Sequence, residues 1–127
     1  MNAIKKLLLV VALAGAIGPV LAHHSFAEYD NRNRTTVTGK LMSLEFANPH
    51  IQYSLEVIDP KTGKPEIWHI AGPAPTAWRA AGWKKSNFVI GEEYTVTGFP
   101  MRHDPHRLST SMLKDSKGKV YGAELKY

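Results

Sequence analysis

Apolar residues follow two different rhythms along the chain. After Lys5 and Lys6, "LLLVVALAGAIGPVLA" is a nearly unbroken apolar run that Gly18 and Pro19 interrupt just before Val20, Leu21 and Ala22. A positive start, an apolar stretch and small residues at the cut are the layout of a secretory signal peptide, with cleavage expected after Ala22. The run falls short of the ~20 apolar residues a membrane span needs. No second run follows, so no membrane span is expected after processing. From Thr35 onward the rhythm changes to alternation, the signature of half-buried strands. The expected organisation is 1–22 signal peptide, 23–34 polar N-terminal arm, and 35–127 a single domain.

Within that domain, "TTVTGKLMSLEF" is rich in β-branched and apolar residues. Val37 and Leu41 share one parity, and Leu44 and Phe46 the other. A parity change inside one strand predicts a bulge, with Gly39 as the place for a bend. "ANP" at 47–49 is a turn. "HIQYSLEVID" puts Ile51, Tyr53, Leu55 and Val57 on one face. "DPKTGK" reads as a hairpin turn, and "EIWHI" as a short strand with Trp68 and His69 facing opposite ways. In "GPAPTAWRAAGW", Pro75 can open a helix and Gly82 can end it, which predicts a helix over 74–82. "EEYTVTG", "RLSTSMLKD" and "KVYGAEL" supply the remaining strands, with "MRHDPHR" a loop after the fourth strand and "DSKGK" a turn before the last. No repeat or low-complexity linker stands out.

Three strands, a short helix and further strands describe an all-β fold, a small antiparallel OB-like β-barrel with one short helix between strands 3 and 4. Other small barrels and a β-sandwich remain open. The expected core is Val37, Leu41, Tyr53, Leu55, Val57, Trp68, Tyr94, Val96 and Leu108, with Trp83 plugging one end.

Composition narrows the chemistry. Loss of Lys5 and Lys6 takes the net charge from +5 to +3, which tolerates an anionic partner without demanding one. The chain has no Cys, so it forms no disulfide and no thiolate metal site and does no thiol redox chemistry. The acids are scattered singly, no Gly-rich phosphate loop is present, and Ser25 beside His24 lacks a nucleophile elbow. Nothing here points to an enzyme, although a histidine brace can support oxidative copper chemistry.

The pieces "AHHSFAEYD", "VTGKLMSLEFANPH", Trp68, "AAGWKKSNFVIGEEYTVTGFPMR" and "DSKGKVYG" together resemble a small family of exported bacterial domains of unknown function. The resemblance covers nearly the whole mature chain. It is carried most closely by His23-His24-Ser25-Phe26, Asn48-Pro49-His50, Trp68, Gly82-Trp83 and the "VTG" before Phe99. It implies an exported all-β domain and no established activity. His103 and His106 look like additions in this chain, so a site shared across the family should not depend on them.

The six histidines are His23, His24, His50, His69, His103 and His106. Cleavage after Ala22 would leave His23 with its free amine and imidazole on one residue, a ready chelate. The amine (pKa about 7.7–8.0) and the imidazole (about 6.5) shed protons near neutral pH. Nitrogen ligands in a tetragonal arrangement suit Cu(II), and divalent affinity peaks at copper. The expected metal set is therefore His23, His24 and His50, with copper as the cofactor. His50 follows a Pro turn that fixes its direction and would give the third nitrogen. His24 would be a fourth or outer ligand. His69, His103 and His106 read as strand-face or solvated residues.

Two functional readings result. One is a periplasmic or secreted metal-binding module, for copper. The other is a non-catalytic interaction domain that meets a glycan, a peptide, another periplasmic protein or an envelope component on the barrel face. Nucleic acid is not an expected partner. An OB-type barrel could place bases on Tyr53 and Trp68 and phosphates on Lys40, Lys84, Lys85, Arg102 and Arg107, but export argues against it.

Overall fold

The computed structural model of the protein describes residues 27–121. The order is β1 (Thr35–Glu45), β2 (Gln52–Ile58), β3 (Pro65–Ala71), α1 (Pro75–Ala80), a 3-10 turn (Lys85–Asn87), β4 (Glu93–Met101), β5 (Asp104–Lys114) and β6 (Val120–Tyr121). β1 pairs antiparallel with both β2 and β4, β2 with β3, and β4 with β5. A short parallel contact between β3 and β5 (His69–Ala71 beside Arg107–Ser109) closes a five-stranded barrel, and β6 adds to β5. This is the OB-like arrangement expected from the strand and helix order.

The parity change in β1 has a visible cause. Leu41 faces Leu55 and Ser43 faces Ser54, so Met42 is the extra residue of a bulge and is exposed. Both Leu41 and Leu44 then turn inward. The bulge lies three residues beyond Gly39, because Gly39 has a different task. A Cβ there would run into the Glu56 carbonyl oxygen and come within 2.9 Å of its carbon. Gly98 stands in the same relation to the Ser109 carbonyl of β5. These glycines end two copies of one tetrapeptide, Thr36-Val37-Thr38-Gly39 and Thr95-Val96-Thr97-Gly98. The copies pair antiparallel about Val37 and Val96, with Thr36 against Thr97 and Thr38 against Thr95, and each threonine pair shares a hydroxyl bond of 2.9 Å. The valines face the core, and each glycine lets a neighbouring strand approach closely. The short repeat escaped the sequence reading because it is only four residues long.

Leu41, Ile51, Leu55, Leu108, Leu113 and Val96 are the largest fully buried side chains. Each contributes about 1.5–3 kcal/mol by leaving water. Seven of the nine expected core residues are buried; Val57 and Trp68 are partly buried and pack against that core. The helix is shorter than expected. Ala74 caps it, Pro75 opens it, and Gly82 at φ +83° ends it. The Gly82 N–H donates to the Arg79 carbonyl at 3.0 Å and the Trp83 N–H to the Trp78 carbonyl at 2.8 Å. That is a Schellman stop, whose usual apolar contact between the residue after the glycine and the third-last helical residue is here two indoles. Trp78 and Trp83 lie edge to face, 3.8 Å between centroids, and both are buried. Trp83 plugs that end of the barrel as expected, meeting Phe88 and Tyr121.

Candidate functional site

The end of the barrel away from α1 is formed by the β4–β5 hairpin and the start of β3. The N-terminal arm docks there. Tyr29 bridges Met101. The Asp30 N–H donates to the Pro100 carbonyl and the Arg102 N–H to the Glu28 carbonyl, both at 2.8 Å. Arg102 Nε reaches the Ala27 carbonyl at 3.3 Å. The Asp30 carboxylate accepts from the Arg32 N–H at 3.1 Å and from Asn33 Nδ2 at 2.7 Å, turning the chain toward β1. These bonds, the Asn33 side chain's first, hold the Asp30 carboxyl below its ordinary value. Burial pushes the Tyr29 hydroxyl up, and the nearby Arg107 charge opposes it.

His106 is the best-held imidazole among the described residues. Its Nε2 lies 3.1 Å from Glu66 Oε2, and its ring meets Trp68 edge-on at 5.1 Å. Its backbone N–H donates to Asp104 Oδ1 at 3.1 Å, while Arg107 Nε lies 3.5 Å from Asp104 Oδ2. The loop expected over 101–107 is therefore a correction. Only Arg102 and His103 form the turn, and Asp104–Arg107 already belong to β5. Pro105 is tolerated in a strand here because the β4–β5 register shifts between Pro100 and Met101, where the ladder needs no donor from it. The alternation of His106 and Leu108 was the available signal, and Pro105 masked it. His103 is exposed at the turn, and His69 is exposed on β3 opposite Arg107.

His50 sits elsewhere. It is exposed in the β1–β2 loop, after a cis Asn48–Pro49 bond and beside Ile51, which is tied to the entrance of α1. The Ile51 N–H donates to the Pro73 carbonyl at 3.1 Å, and its carbonyl accepts the Gly72 N–H at 2.7 Å. His50 thus belongs to the α1 end, whereas the arm docks at the hairpin end. His23 and His24 lie outside the described residues. Among the described residues, no group of three or more His, Cys, Asp or Glu is placed to hold a metal ion.

The residues that an OB-type barrel would offer to bases are engaged otherwise. Tyr53 is buried and hydrogen-bonds the Thr110 hydroxyl at 2.7 Å, and burial raises its hydroxyl. Trp68 faces His106. Lys40 stands in register between Glu56 and Glu93. All described aromatic residues are buried or half-buried.

The sequence model of a family of unknown function (DUF6152) matches residues 10–109. The chain belongs to that family. No curated protein matches it. Among solved structures it is similar to the "Crystal Structure of mitochondrial single-stranded DNA binding proteins from S. cerevisiae, Rim1 (Form2)". The identity is 11% and the TM-score 0.51, covering 68% of this chain and 96% of that one. At that identity the likeness shows the OB-type fold alone. Among the described residues, no helix is long and apolar enough to cross a membrane.

Proposed function

We propose that this family member is exported and binds a transition metal, copper by preference, through the histidine that cleavage after Ala22 makes its first residue. It is a small binding module for carriage, buffering or sensing, without catalysis. The observation that supports this reading best is the docking of the arm. Residues 27–30 are hydrogen-bonded to the rim of β4, so the stretch following His23-His24-Ser25-Phe26 starts from a fixed anchor. A chelate tethered to a rigid rim loses less freedom on binding than one on a free tail. The amine and imidazole of one residue supply two nitrogens, and a barrel imidazole supplies the next. The sequence offers His50 for that role.

The test is Cu(II) titration of protein beginning at His23 against protein beginning at Ala22, in one buffer. One added alanine keeps every imidazole and moves the amine off the chelating residue. Affinity is expected to fall by orders of magnitude, and lowering the pH toward about 5 is expected to release the metal as amine and imidazoles take up protons. Equal binding by the two proteins, or binding no tighter than micromolar, would sink the reading. The interaction domain then takes its place. Met42, Ile58, Ile67, Val89, Ile90 and Val120 are exposed large apolar side chains through which such a domain would act.

A further inference from the structure

We infer that the turn joining the 3-10 turn to β4 is a docking corner for an anionic lipid surface. Val89 and Ile90 enter the bilayer interface, while Arg79, Lys84, Lys85 and Lys119 meet its headgroups. The inference uses none of the proposed metal ligands and is tested independently of the N-terminal chelate.

The build of the turn is the first argument. The Glu92 N–H donates to the Val89 carbonyl at 3.2 Å, and Gly91 has φ +87° while Ile90 has no positive φ. That is a type II turn with Ile90 at its second position, where proline is common. Ile90 is 59% exposed, the most of any large apolar side chain among the described residues, and Val89 beside it is exposed too. Met42, exposed in the β1 bulge, follows Leu41, whose backbone bonds both Gly91 and Glu92. The turn is firmly held. The Val89 N–H donates to the Tyr94 hydroxyl at 2.9 Å, which donates to the Asn87 carbonyl at 3.1 Å. Phe88 is buried against Trp78, Trp83 and Tyr94. Side chains presented on an ordered turn lose little freedom on docking.

Charge is the second argument. From Gly72 to Gly91 the chain carries Arg79, Lys84 and Lys85 and no acid. Lys84 and Lys85 are exposed and make no ion pair among the described residues. Arg79 lies over the Phe46 ring at 5.3 Å, and Phe46 meets Phe88 at 6.4 Å. Lys119 Nζ lies 4.8 Å from the centre of the Tyr121 ring, which meets Trp83, the residue before Lys84. The cations therefore surround the aromatic cluster from which Val89 and Ile90 emerge. The acids beside the corner are Glu92, Glu93 and Asp115. Glu92 accepts the Ser116 hydroxyl at 3.2 Å, Asp115 Oδ1 accepts the Lys117 and Lys119 N–H groups, and Glu93 stands in register with Lys40. A few half-exposed aliphatic side chains fall well short of the ~800 Å² per partner of a stable protein interface. Reversible attachment to an anionic bilayer needs only a small apolar insertion joined to a basic patch, and this corner supplies both.

The experiment floats protein beginning at His23 with vesicles of phosphatidylcholine alone and of phosphatidylcholine mixed with phosphatidylglycerol. Binding is expected to the mixed vesicles and not to phosphatidylcholine alone. Ile90→Asp and the double variant Lys84→Glu/Lys85→Glu should each lower partition onto mixed vesicles by about tenfold or more. Ile58→Asp places the same charge at a comparably exposed aliphatic site on the β2–β3 hairpin and should leave partition unchanged. Ile90→Trp should bind more tightly and shift its emission to the blue with mixed vesicles, a gain that a damaged fold does not give. Thermal unfolding of each free variant establishes that the fold is intact. Absence of wild-type binding to mixed vesicles overturns the proposal. So does equal loss in Ile90→Asp and Ile58→Asp, or loss in the lysine variant with none in Ile90→Asp, which would leave charge alone at work. If Ile90→Asp converts a dimer to a monomer on gel filtration, a second copy of the chain covers the corner and the lipid assignment is overturned.

Discussion

At the α1 end of the barrel, Trp78, Trp83, Phe88 and Tyr121 pack edge to face or stacked over Tyr53 and Tyr94. At the hairpin end, Glu66, Asp104, His106 and Arg107 meet through charge-assisted contacts, and the arm adds backbone bonds. The first end buries large rings and leaves Nε1 of Trp78 and Trp83 buried with no hydrogen-bond partner among the described residues. An unpaired buried donor costs about 1–3 kcal/mol, which the burial of ring surface must outweigh. The second end pairs its charged groups at a part-exposed surface, although Nε1 of Trp68 beside His106 is likewise buried with no hydrogen-bond partner among the described residues. The lesson is a division of labour. One end is built from buried rings, and the other from charged pairs held at the surface.

The division can be broken most forcefully at Trp83. Trp83→Ala removes the ring that meets Trp78, Phe88 and Tyr121, and no hydrogen bond among the described residues is lost with it. Truncation of a buried Trp usually costs 3–5 kcal/mol, a large part of the ~5–15 available to a domain. His103→Ala at the exposed turn should stay within about 0.5 kcal/mol. Urea unfolding of the two variants measures the contrast. Similar losses would mean that the hairpin end carries stability as well.

A smaller effect is expected between the two ends, where the repeated tetrapeptide sits. Gly98→Ala forces a Cβ against the Ser109 carbonyl, 2.9 Å from its carbon, and backbone cannot step aside as a flexible side chain would. Overpacking of this kind costs about 1–3 kcal/mol. Gly39→Ala should cost a similar amount through Glu56, since the two strands are related by the local symmetry. A much larger loss for one of them in the same urea series would show that the two halves of the β1–β4 pair carry unequal load.

The stable end was legible in the sequence, and the polar end was less so. Alternation at Ile51, Tyr53, Leu55 and Val57, and at Tyr94 and Val96, reports burial directly, so the strands and most of the core followed. Pro75 and Gly82 bracketed the helix because proline and glycine act on their own backbone. The meeting of Glu66, Trp68 and His106 joins β3 to β5 across a parallel contact, and no local spacing encodes it. Pro105 further disguised the start of β5 as a loop. His50 drew notice from its proline turn, which fixes direction but says nothing about which end of the barrel it occupies. The same limit applied to the arm, whose polar composition is silent about its docking on β4.

The smallest expected effect is on the arm alone. Asp30 accepts bonds from Arg32 and Asn33, and its carboxyl is held below its ordinary value of 3.8, the Asn33 bond contributing most. A depressed carboxyl stabilises the native state above its unfolded-state pKa, and the gain is lost as pH falls through the lower, folded-state value. The window therefore lies below about pH 4. Asp30 lies on the arm at the surface, outside the core, so the barrel itself should scarcely respond. What should respond is the pair of backbone bonds beside it, Asp30 N–H to Pro100 and Arg102 N–H to Glu28. Amide protection at these two positions, taken relative to the intrinsic exchange rate at each pH, is expected to fall as the pH is lowered through that window, while the amide of Val96 in the core stays protected. Asp30→Ala should give the low protection already at neutral pH. If exchange at Asp30 and Arg102 follows that of Val96 at every pH, the arm opens only with the whole domain, and the hairpin end is as firmly built as the end that carries the tryptophans.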